Sequence, residues 1–255
     1  GIALNWFKSY LENRLQFVVV NGAKSQSSNV KYGVPQGSVL GPLLFLIYIN
    51  DIINSSQLFT YSLFADDTCL LYSHKNIHTL MQSVNTEICK LFAWFCSNKL
   101  LLNTGKTKCV LFRSRGRKIP NSVNPLVVGG QQINRSQHVQ FLGVTVDEYL
   151  SWKEHLDNVC TKVSRSVGVI SKLRYFLPQY TLVTLYNAIV MPHLLYCNIA
   201  WGHTFRTHVH KLQVLQKKVV RYITNSDYRS PSTPLFLQLN ILPFDEMVSL
   251  NCLML

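Results

Sequence analysis

The sequence predicts an α+β fold, with short antiparallel strands and packed helices over residues 1–150 and an all-helical region over residues 151–255. Two short apolar runs flank residues 65–68, which is the pattern of a strand, a tight turn and a second strand. Beyond Asp147, apolar residues recur every three or four positions, which is typical of amphipathic helices. A hydrophobic content of 47% allows both regions to bury a core.

The first elements are a helix and a pair of strands. Leu4, Phe7 and Leu11 have helical spacing and predict a helix over residues 2–15. The β-branched run at residues 17–20 predicts a strand that could pair with residues 30–34. This part of the chain is therefore expected to begin with a helix followed by a small ladder.

A glycine- and proline-rich stretch at residues 33–37 separates these elements from the next helix. Ser38 could cap a helix over residues 39–52, provided that Pro42 lies in its first turn or two. The predicted hairpin follows, with strands at residues 61–64 and 69–72.

The middle of the chain combines one long helix with further strands. Apolar residues from Leu80 to Phe95 step by three or four and predict an amphipathic helix. Residues 108–112 and 139–146 are strand candidates, and residues 114–137 between them predict a loop with a short hairpin.

Three helices are predicted after residue 150. The first includes residues 156–173 and ends near Pro178, the second starts near Thr181, and the third covers residues 209–223. Residues 182–201 are long enough to span a bilayer, but polar residues and a proline interrupt them. We therefore expect a buried, interrupted helix and no membrane, although detergent-dependent solubility would favour the membrane alternative.

Charge and cysteine content restrict the partners. The 25 Lys and Arg outnumber the 12 Asp and Glu, and the resulting net charge of +13 favours a polyanionic partner, either nucleic acid or an anionic membrane. Seven cysteines occur without a C-x-x-C pair, so we expect no structural zinc site. Most of the seven are expected to be buried thiols in a reducing compartment.

Asp66 and Asp67 are the central candidates for chemistry. Adjacent carboxylates in a tight turn repel each other unless a positive group neutralises them. Mg²⁺ is a hard cation that prefers carboxylate oxygens together with substrate phosphates, and Mn²⁺ shares that preference. The alternative is a solvated turn, in which Asp is simply a favourable turn residue.

Five motifs follow one another along the chain. They are W-F-K-S-Y-L-E-N-R at residues 6–14, G-V-P-Q-G-S-V-L-G-P-L-L-F at residues 33–45, F-A-D-D at residues 64–67, L-N-T-G-K-T at residues 102–107 and F-L-G-V at residues 141–144. With these motifs in this order, the chain resembles the reverse transcriptases of non-LTR retrotransposons, especially jockey-like and related LINE types. The resemblance implies part of a reverse transcriptase palm over residues 1–150, followed by a thumb and further helices.

The resemblance also implies roles for the candidate residues. Asp66 and Asp67 would be catalytic metal ligands in two-metal nucleotidyl transfer. Gln36, Gly37 and Lys106 would lie against the incoming dNTP and the template. The turn at Phe141, Leu142 and Gly143 would seat the primer end as a primer grip.

A basic helix is expected to contact the nucleic-acid backbone. Its residues are Lys211, Lys217, Lys218 and Arg221. They could follow the phosphates of an RNA template paired with a DNA primer, since such a duplex is recognised by shape and backbone. The alternative is the solvated face of an ordinary bundle helix.

The resemblance implies a limit as well. The family carries a further catalytic Asp on a strand upstream of Trp6, and no position here matches it. We interpret both ends as cuts through a longer polymerase whose fingers are also missing, so these 255 residues alone are expected to be inactive. The second hypothesis is a catalytically inactive nucleic-acid-binding remnant, and a weaker third is an intron-encoded maturase. The parent is expected in the nucleus or cytoplasm within an element ribonucleoprotein, not secreted.

Overall fold

The computed structural model describes residues 1–120 and 122–254. The chain forms two compact units. The first unit comprises Gly1–Thr104 and Ser122–Gln132, and the second comprises Gly105–Asn121 and Ile133–Leu255, apart from the two undescribed residues. The division into a palm-like region before residue 150 and a thumb-like region after it stays a prediction.

The first unit begins with helix α1 (Ile2–Leu11), which ends earlier than predicted because Glu12 is extended and Asn13 has a φ of 54°. Two small ladders follow it. Strand β1 (Arg14–Gln16) pairs with β4 (Ser28–Val30), and β2 (Val19–Val20) pairs with β3 (Ala23–Lys24).

The predicted pairing of residues 17–20 with residues 30–34 was wrong. Val19 and Val20 pair instead across the turn formed by Asn21 and Gly22, whose φ angles are 50° and 83°. Two positive φ angles match a type I′ turn, for which Asn-Gly is the preferred sequence. Because Val19 and Val20 pair with Ala23 and Lys24 across this turn, they do not pair with residues 30–34.

Helix α2 (Gly41–Ile49) continues into a 3₁₀ helix (Asn50–Ser55), and Pro42 lies in the first turn as predicted. The helix starts two residues later than expected. Ser38 nevertheless contributes a hydrogen bond at the start of the helix, where its Oγ accepts from the Gly41 amide at 3.1 Å. Gly41 is buried, and a Cβ there would lie 3.1 Å from the Pro35 carbonyl oxygen.

The predicted hairpin is confirmed as β5 (Thr60–Phe64) and β6 (Asp67–Leu71). The long predicted helix is confirmed as α3 (Ile77–Ser97), which buries Met81, Ile88, Leu91 and Phe95. The short hairpin expected between residues 114 and 137 is β7 (Leu126–Val128) with β8 (Gln131–Ile133). Asn85 of α3 holds β7 through hydrogen bonds to the Pro125 carbonyl and the Val127 amide.

In the second unit, the predicted strand at residues 139–146 is itself a hairpin. Strand β9 (His138–Phe141) pairs with β10 (Val144–Asp147). The predicted strand at residues 108–112 was wrong, because only Cys109 there makes a β-bridge, to Arg135. Across the described residues the strands form five two-stranded ladders and not one continuous sheet.

After β10 the second unit is mainly helical, as predicted. The helices are α4 (Lys153–Leu173), α5 (Gln179–Ile189), α6 (Met191–Leu195), α7 (Asn198–Trp201), α8 (Arg206–Ile223), α9 (Ser232–Gln238) and α10 (Phe244–Leu253). Their apolar faces share one core, in which Trp201, Tyr186 and Leu212 are fully buried. The α+β class with a helical C-terminal region is thereby confirmed.

The stretch at residues 182–201 is divided among α5, α6 and α7. Pro192 lies in the first turn of α6, where its missing N–H and fixed φ end the preceding helix. Of the helices in the described parts of the chain, none combines the length and apolar character that a bilayer crossing requires.

The expectation that most cysteines are buried was wrong. Cys89, Cys96 and Cys197 are exposed, and the other four are half-buried. The buried positions are taken by larger apolar residues such as Phe95 and Leu156. All seven are free thiols.

His155 of α4 is predicted to make the stability of the second unit depend on pH. It is 5% exposed, and its Nδ1 accepts a hydrogen bond from the Thr145 amide at 3.3 Å. Burial, aided by repulsion from Lys162, lowers the pKa of His155 below the ordinary 6.5. As the pH falls through 6.5, His155 therefore binds a proton in the unfolded chain while it stays neutral in the folded chain.

The stability contributed by neutral His155 is complete above pH 6.5 and is lost progressively below it. We expect the urea midpoint of the chain to be lower at about pH 5.5 than at about pH 7.5. The variant His155→Gln keeps an acceptor for the Thr145 amide without titrating, so it should reduce this difference. An unchanged difference in the variant would assign the pH response to other groups.

Candidate metal-binding hairpin and nucleic-acid surface

The hairpin of β5 and β6 turns over only two residues. Phe64 pairs with Asp67, so Ala65 and Asp66 form the turn and Asp67 begins the second strand. Ala65 has a φ of 50°, whereas Asp66 has a negative φ, which is the pattern of a type II′ hairpin turn. The turn thus places two carboxylates at the tip of a short ladder.

The two faces of this hairpin differ in burial. Tyr61, Leu63 and Leu70 are half-buried on one face, because side chains alternate along a strand. Asp67 lies on the opposite face beside Phe64, and both Asp66 and Asp67 are exposed. The half-buried face carries the apolar side chains, and the tip is left open to solvent.

No protein group neutralises the carboxylate pair within residues 1–120 and 122–254, where neither side chain makes a hydrogen bond or an ion pair. Exposed, adjacent carboxylates suit a hard divalent cation, which draws several oxygens from protein and substrate together. The described residues contain no group of three or more His, Cys, Asp or Glu arranged for a metal. Asp66 and Asp67 can therefore supply only part of a metal coordination shell.

Gln36 and Gly37 form an exposed turn, in which Gly37 has a φ of 79° that favours glycine. The neighbouring Ser38 fixes this turn, since its Oγ donates to the Pro35 carbonyl at 2.7 Å and accepts from the Tyr10 hydroxyl at 2.6 Å. Arg14 also donates to the Gly33 carbonyl. No hydrogen bond among the described residues joins this turn to the Asp66–Asp67 hairpin.

The sequence did not reveal that the first motif supports the second. Tyr10 and Arg14 belong to the helix motif at residues 6–14, and both side chains reach the glycine-proline loop. Tyr10 and Arg14 are four residues apart, and this spacing would place two helical side chains on the same face. That pattern could have indicated a shared target, although Arg14 lies beyond the end of α1. These two residues position the loop and leave Gln36 and Gly37 free to face solvent.

Lys106 lies in an exposed turn of the second unit, whereas Asp66 and Asp67 belong to the first. The proposed primer grip also lies in the second unit. Leu142 and Gly143 have φ angles of 46° and 80°, as in a type I′ turn between β9 and β10. The Tyr196 hydroxyl donates to the Leu142 carbonyl at 2.5 Å, which ties this turn to the helical core.

The basic residues of α8 differ in what they contact. Lys211 makes an ion pair with Asp157 of α4 at 3.0 Å, and the hydrogen bond to Asp157 raises the pKa of Lys211. Lys217 is half-buried. Lys218 and Arg221 make no ion pair among the described residues, and the Arg221 Nε donates to the Ser230 carbonyl at 2.9 Å.

Comparison with known proteins shows extended similarity. Residues 2–146 match the protein family described as reverse transcriptase (RNA-dependent DNA polymerase). The chain is 30% identical over 252 residues to the probable RNA-directed DNA polymerase from transposon X-element of Drosophila melanogaster, covering 94% of this chain and 27% of that protein.

Two further relatives from Drosophila melanogaster give the same result. The RNA-directed DNA polymerase from mobile element jockey is 29% identical over 87% of this chain and 25% of its own length. The probable RNA-directed DNA polymerase from transposon BS is 29% identical over 95% of this chain and 28% of its own length. The chain thus spans about a quarter of the length of these relatives, and the resemblance drawn from its motifs is confirmed.

Proposed function

We propose, since this chain belongs to the reverse transcriptase (RNA-dependent DNA polymerase) family, that it contributes part of the polymerase site of a non-LTR retrotransposon protein. The observation that carries the proposal is the carboxylate pair Asp66–Asp67, which is exposed on a tight hairpin without a protein cation beside it. The parent protein would act as an RNA-directed DNA polymerase.

Asp66 and Asp67 would hold Mg²⁺ or Mn²⁺, because their oxygens are the ligands that these hard cations prefer. When bound, the metal would supply charge neutralisation for phosphoryl transfer. The chain itself positions the carboxylates: the two-residue turn holds them at the ends of β5 and β6, which carry apolar residues on their half-buried face.

The substrates would be an RNA template, a DNA primer and a dNTP. Gln36 offers both a donor and an acceptor to nucleotide or template, and Gly37 lets the backbone approach closely. Lys106 would meet the triphosphate. The turn at Phe141, Leu142 and Gly143 would seat the primer end, and Tyr196 supports the role by holding the Leu142 carbonyl.

The backbone of the template–primer would contact α8. Lys217, Lys218 and Arg221 are the main candidates, and Lys211 takes part only if it leaves Asp157. Residues 1–150 would serve as palm and residues 151–255 as thumb and following helices, and the parent would work in nucleus or cytoplasm with its element RNA.

These 255 residues by themselves are proposed to bind template–primer without extending it. Two carboxylates form an incomplete two-metal site, because the clamp on attacking and leaving oxygens needs more ligands than Asp66 and Asp67 offer. Extension of an RNA-templated DNA primer by this chain, lost in Asp66→Asn, would contradict inactivity while supporting the metal role. If the chain bound a template–primer duplex without metal, and added metal had no effect on the Asp66–Asp67 hairpin, the inactive-remnant hypothesis would be supported.

The metal role predicts a local response to Mn²⁺. In nuclear magnetic resonance spectra, amide signals of residues 64–68 should broaden at low Mn²⁺ concentration, since the paramagnetic ion would sit beside them. Asp66→Asn and Asp67→Asn should each reduce the broadening, because each removes a charged ligand.

Asp51→Asn is the matched control, since Asp51 is also exposed but lies in the 3₁₀ helix outside the hairpin. It should leave the broadening at residues 64–68 unchanged. Equal broadening in native chain and both hairpin variants would contradict the metal site.

A further inference from the structure

A group of aromatic and basic side chains lies where α4 ends and α8 ends. We name it the aromatic–basic patch, and it consists of Arg174, Tyr175, Lys218, Arg221, Tyr222 and Tyr228. The Arg174 guanidinium is 4.6 Å from the Tyr175 ring centroid and 4.8 Å from that of Tyr222. Lys218 and Arg221 continue the patch, at 5.8 Å from the Tyr222 ring and 5.9 Å from the Tyr228 ring.

The cations of the patch are not neutralised. Arg174, Lys218 and Arg221 make no ion pair in the described part of the chain, whereas Lys211 on the same helix is paired with Asp157. Asp227, next to Tyr228 in the sequence, makes no ion pair with these cations in the described part of the chain, and its Oδ1 accepts a hydrogen bond from the Arg229 amide at 2.9 Å. The patch therefore carries a net positive charge, which matches the +13 of the whole chain.

The rings of the patch are exposed to an unusual extent for tyrosine. Tyr175 is 69% exposed and Tyr228 is 79% exposed, and Phe176, which follows Tyr175, is 82% exposed. Tyr222 is half-buried and packs against the core, so it holds Arg174 and Lys218 in place. Exposed rings beside unpaired cations suit a ligand that carries both flat apolar faces and negative charges.

We propose that the aromatic–basic patch binds single-stranded nucleic acid. Bases of a single strand would stack on Tyr175 and Tyr228, and the adjoining phosphates would contact Lys218 and Arg221. A duplex would contact only Lys218 and Arg221, because its bases are already stacked on each other and are not free to stack on the rings. This inference shares these two cations with the template–primer contact proposed for α8, and it adds an unpaired strand on the rings. The test measures binding of that strand, so its outcome does not depend on polymerase activity or on the metal role.

The first experiment removes the rings. Binding of the 255-residue chain to a labelled oligonucleotide is measured by fluorescence anisotropy, using oligo(U), oligo(dT) and an abasic oligomer of equal length. Tyr175→Ala and Tyr228→Ala should each weaken binding to the two base-containing strands by about tenfold. Binding of the abasic oligomer should hardly change, since it has charge without bases.

Phe205→Ala is the matched aromatic control, because Phe205 is 60% exposed in the same unit but contacts His208 outside the patch. It should bind both strands like the native chain. Circular dichroism would show that the variants keep their helices, as expected for exposed side chains.

The second experiment removes one charge. Lys218→Gln should lower the slope of log affinity against log salt concentration by about 0.7 for a single strand. Lys211→Gln should lower it much less, since Asp157 already neutralises Lys211. The tyrosine variants should lose affinity without a change of slope.

Single-strand binding by both tyrosine variants at native affinity would overturn the proposal. An equal loss for the base-containing strands and the abasic oligomer would overturn it too, because it would indicate a general loss of charge attraction. Preference for oligo(U) over oligo(dT) would identify RNA as the strand bound, and the reverse preference would identify DNA.

Discussion

Replacing Glu148 with alanine is expected to destabilise the second unit by about 3–5 kcal/mol. The Glu148 carboxylate is 4% exposed and is met by Arg113 and Arg135, each with an Nη2 at 3.2 Å. Arg113 is itself 15% exposed, so the variant would leave a buried guanidinium without its counter-charge. Urea unfolding followed by near-ultraviolet circular dichroism measures the loss.

Two further variants separate this effect from a general loss of packing. Arg135→Gln should cost about 1 kcal/mol or less, because Arg135 is 42% exposed and its pair is screened by water. Joint replacement by Glu148→Leu and Arg113→Met should recover much of the stability, because it removes both buried charges. A Glu148→Ala loss no larger than that of Arg135→Gln would contradict the assignment.

Replacing Trp201 with alanine is expected to cost about 3–5 kcal/mol as well, through the cavity left in the helical core. Trp201 is fully buried, stacks on Phe244 with ring centroids 5.5 Å apart, and lies edge-on to His155 at 5.3 Å. Its indole Nε1 also donates to the Tyr196 carbonyl at 3.0 Å. The variant would thus lose both packing and a hydrogen bond, as urea unfolding would show.

The same variant tests whether the core supports the proposed primer grip. The Tyr196 carbonyl accepts a hydrogen bond from the Trp201 indole, and the Tyr196 hydroxyl donates one to the Leu142 carbonyl. Trp201→Ala should therefore speed amide hydrogen exchange in the turn at Leu142 and Gly143. Tyr196→Phe should do so with little change of stability, because it removes only a bond that is exposed to water.

Unchanged exchange at that turn in both variants would show that β9 and β10 hold it without help from the core. Trp201→Phe is the conservative control. It keeps most of the packing and should lose less stability than alanine, although the Tyr196 carbonyl would still lack its donor.

Local patterns predicted much of the fold. The helices α3, α4 and α8 follow from three- and four-residue spacing, since each buries one continuous apolar face. The Asp66–Asp67 hairpin follows from two apolar runs around a short polar turn. The pairing partners of the strands were harder to predict, as Val19 and Val20 show. A strand of only two residues has too short a hydrophobic pattern to specify which neighbouring strand it pairs with.

Sequence by itself determined the family, through five ordered motifs, and with it the identity of the candidate metal ligands and the α+β class. The tertiary structure decided which candidates are available. It paired Lys211 with Asp157, left Arg221 beside the exposed Tyr228 and Lys218 beside the half-buried Tyr222, and tied the Leu142 turn to Tyr196. Those outcomes depend on contacts between residues far apart in the chain, and a motif specifies residue types without the geometry of such contacts.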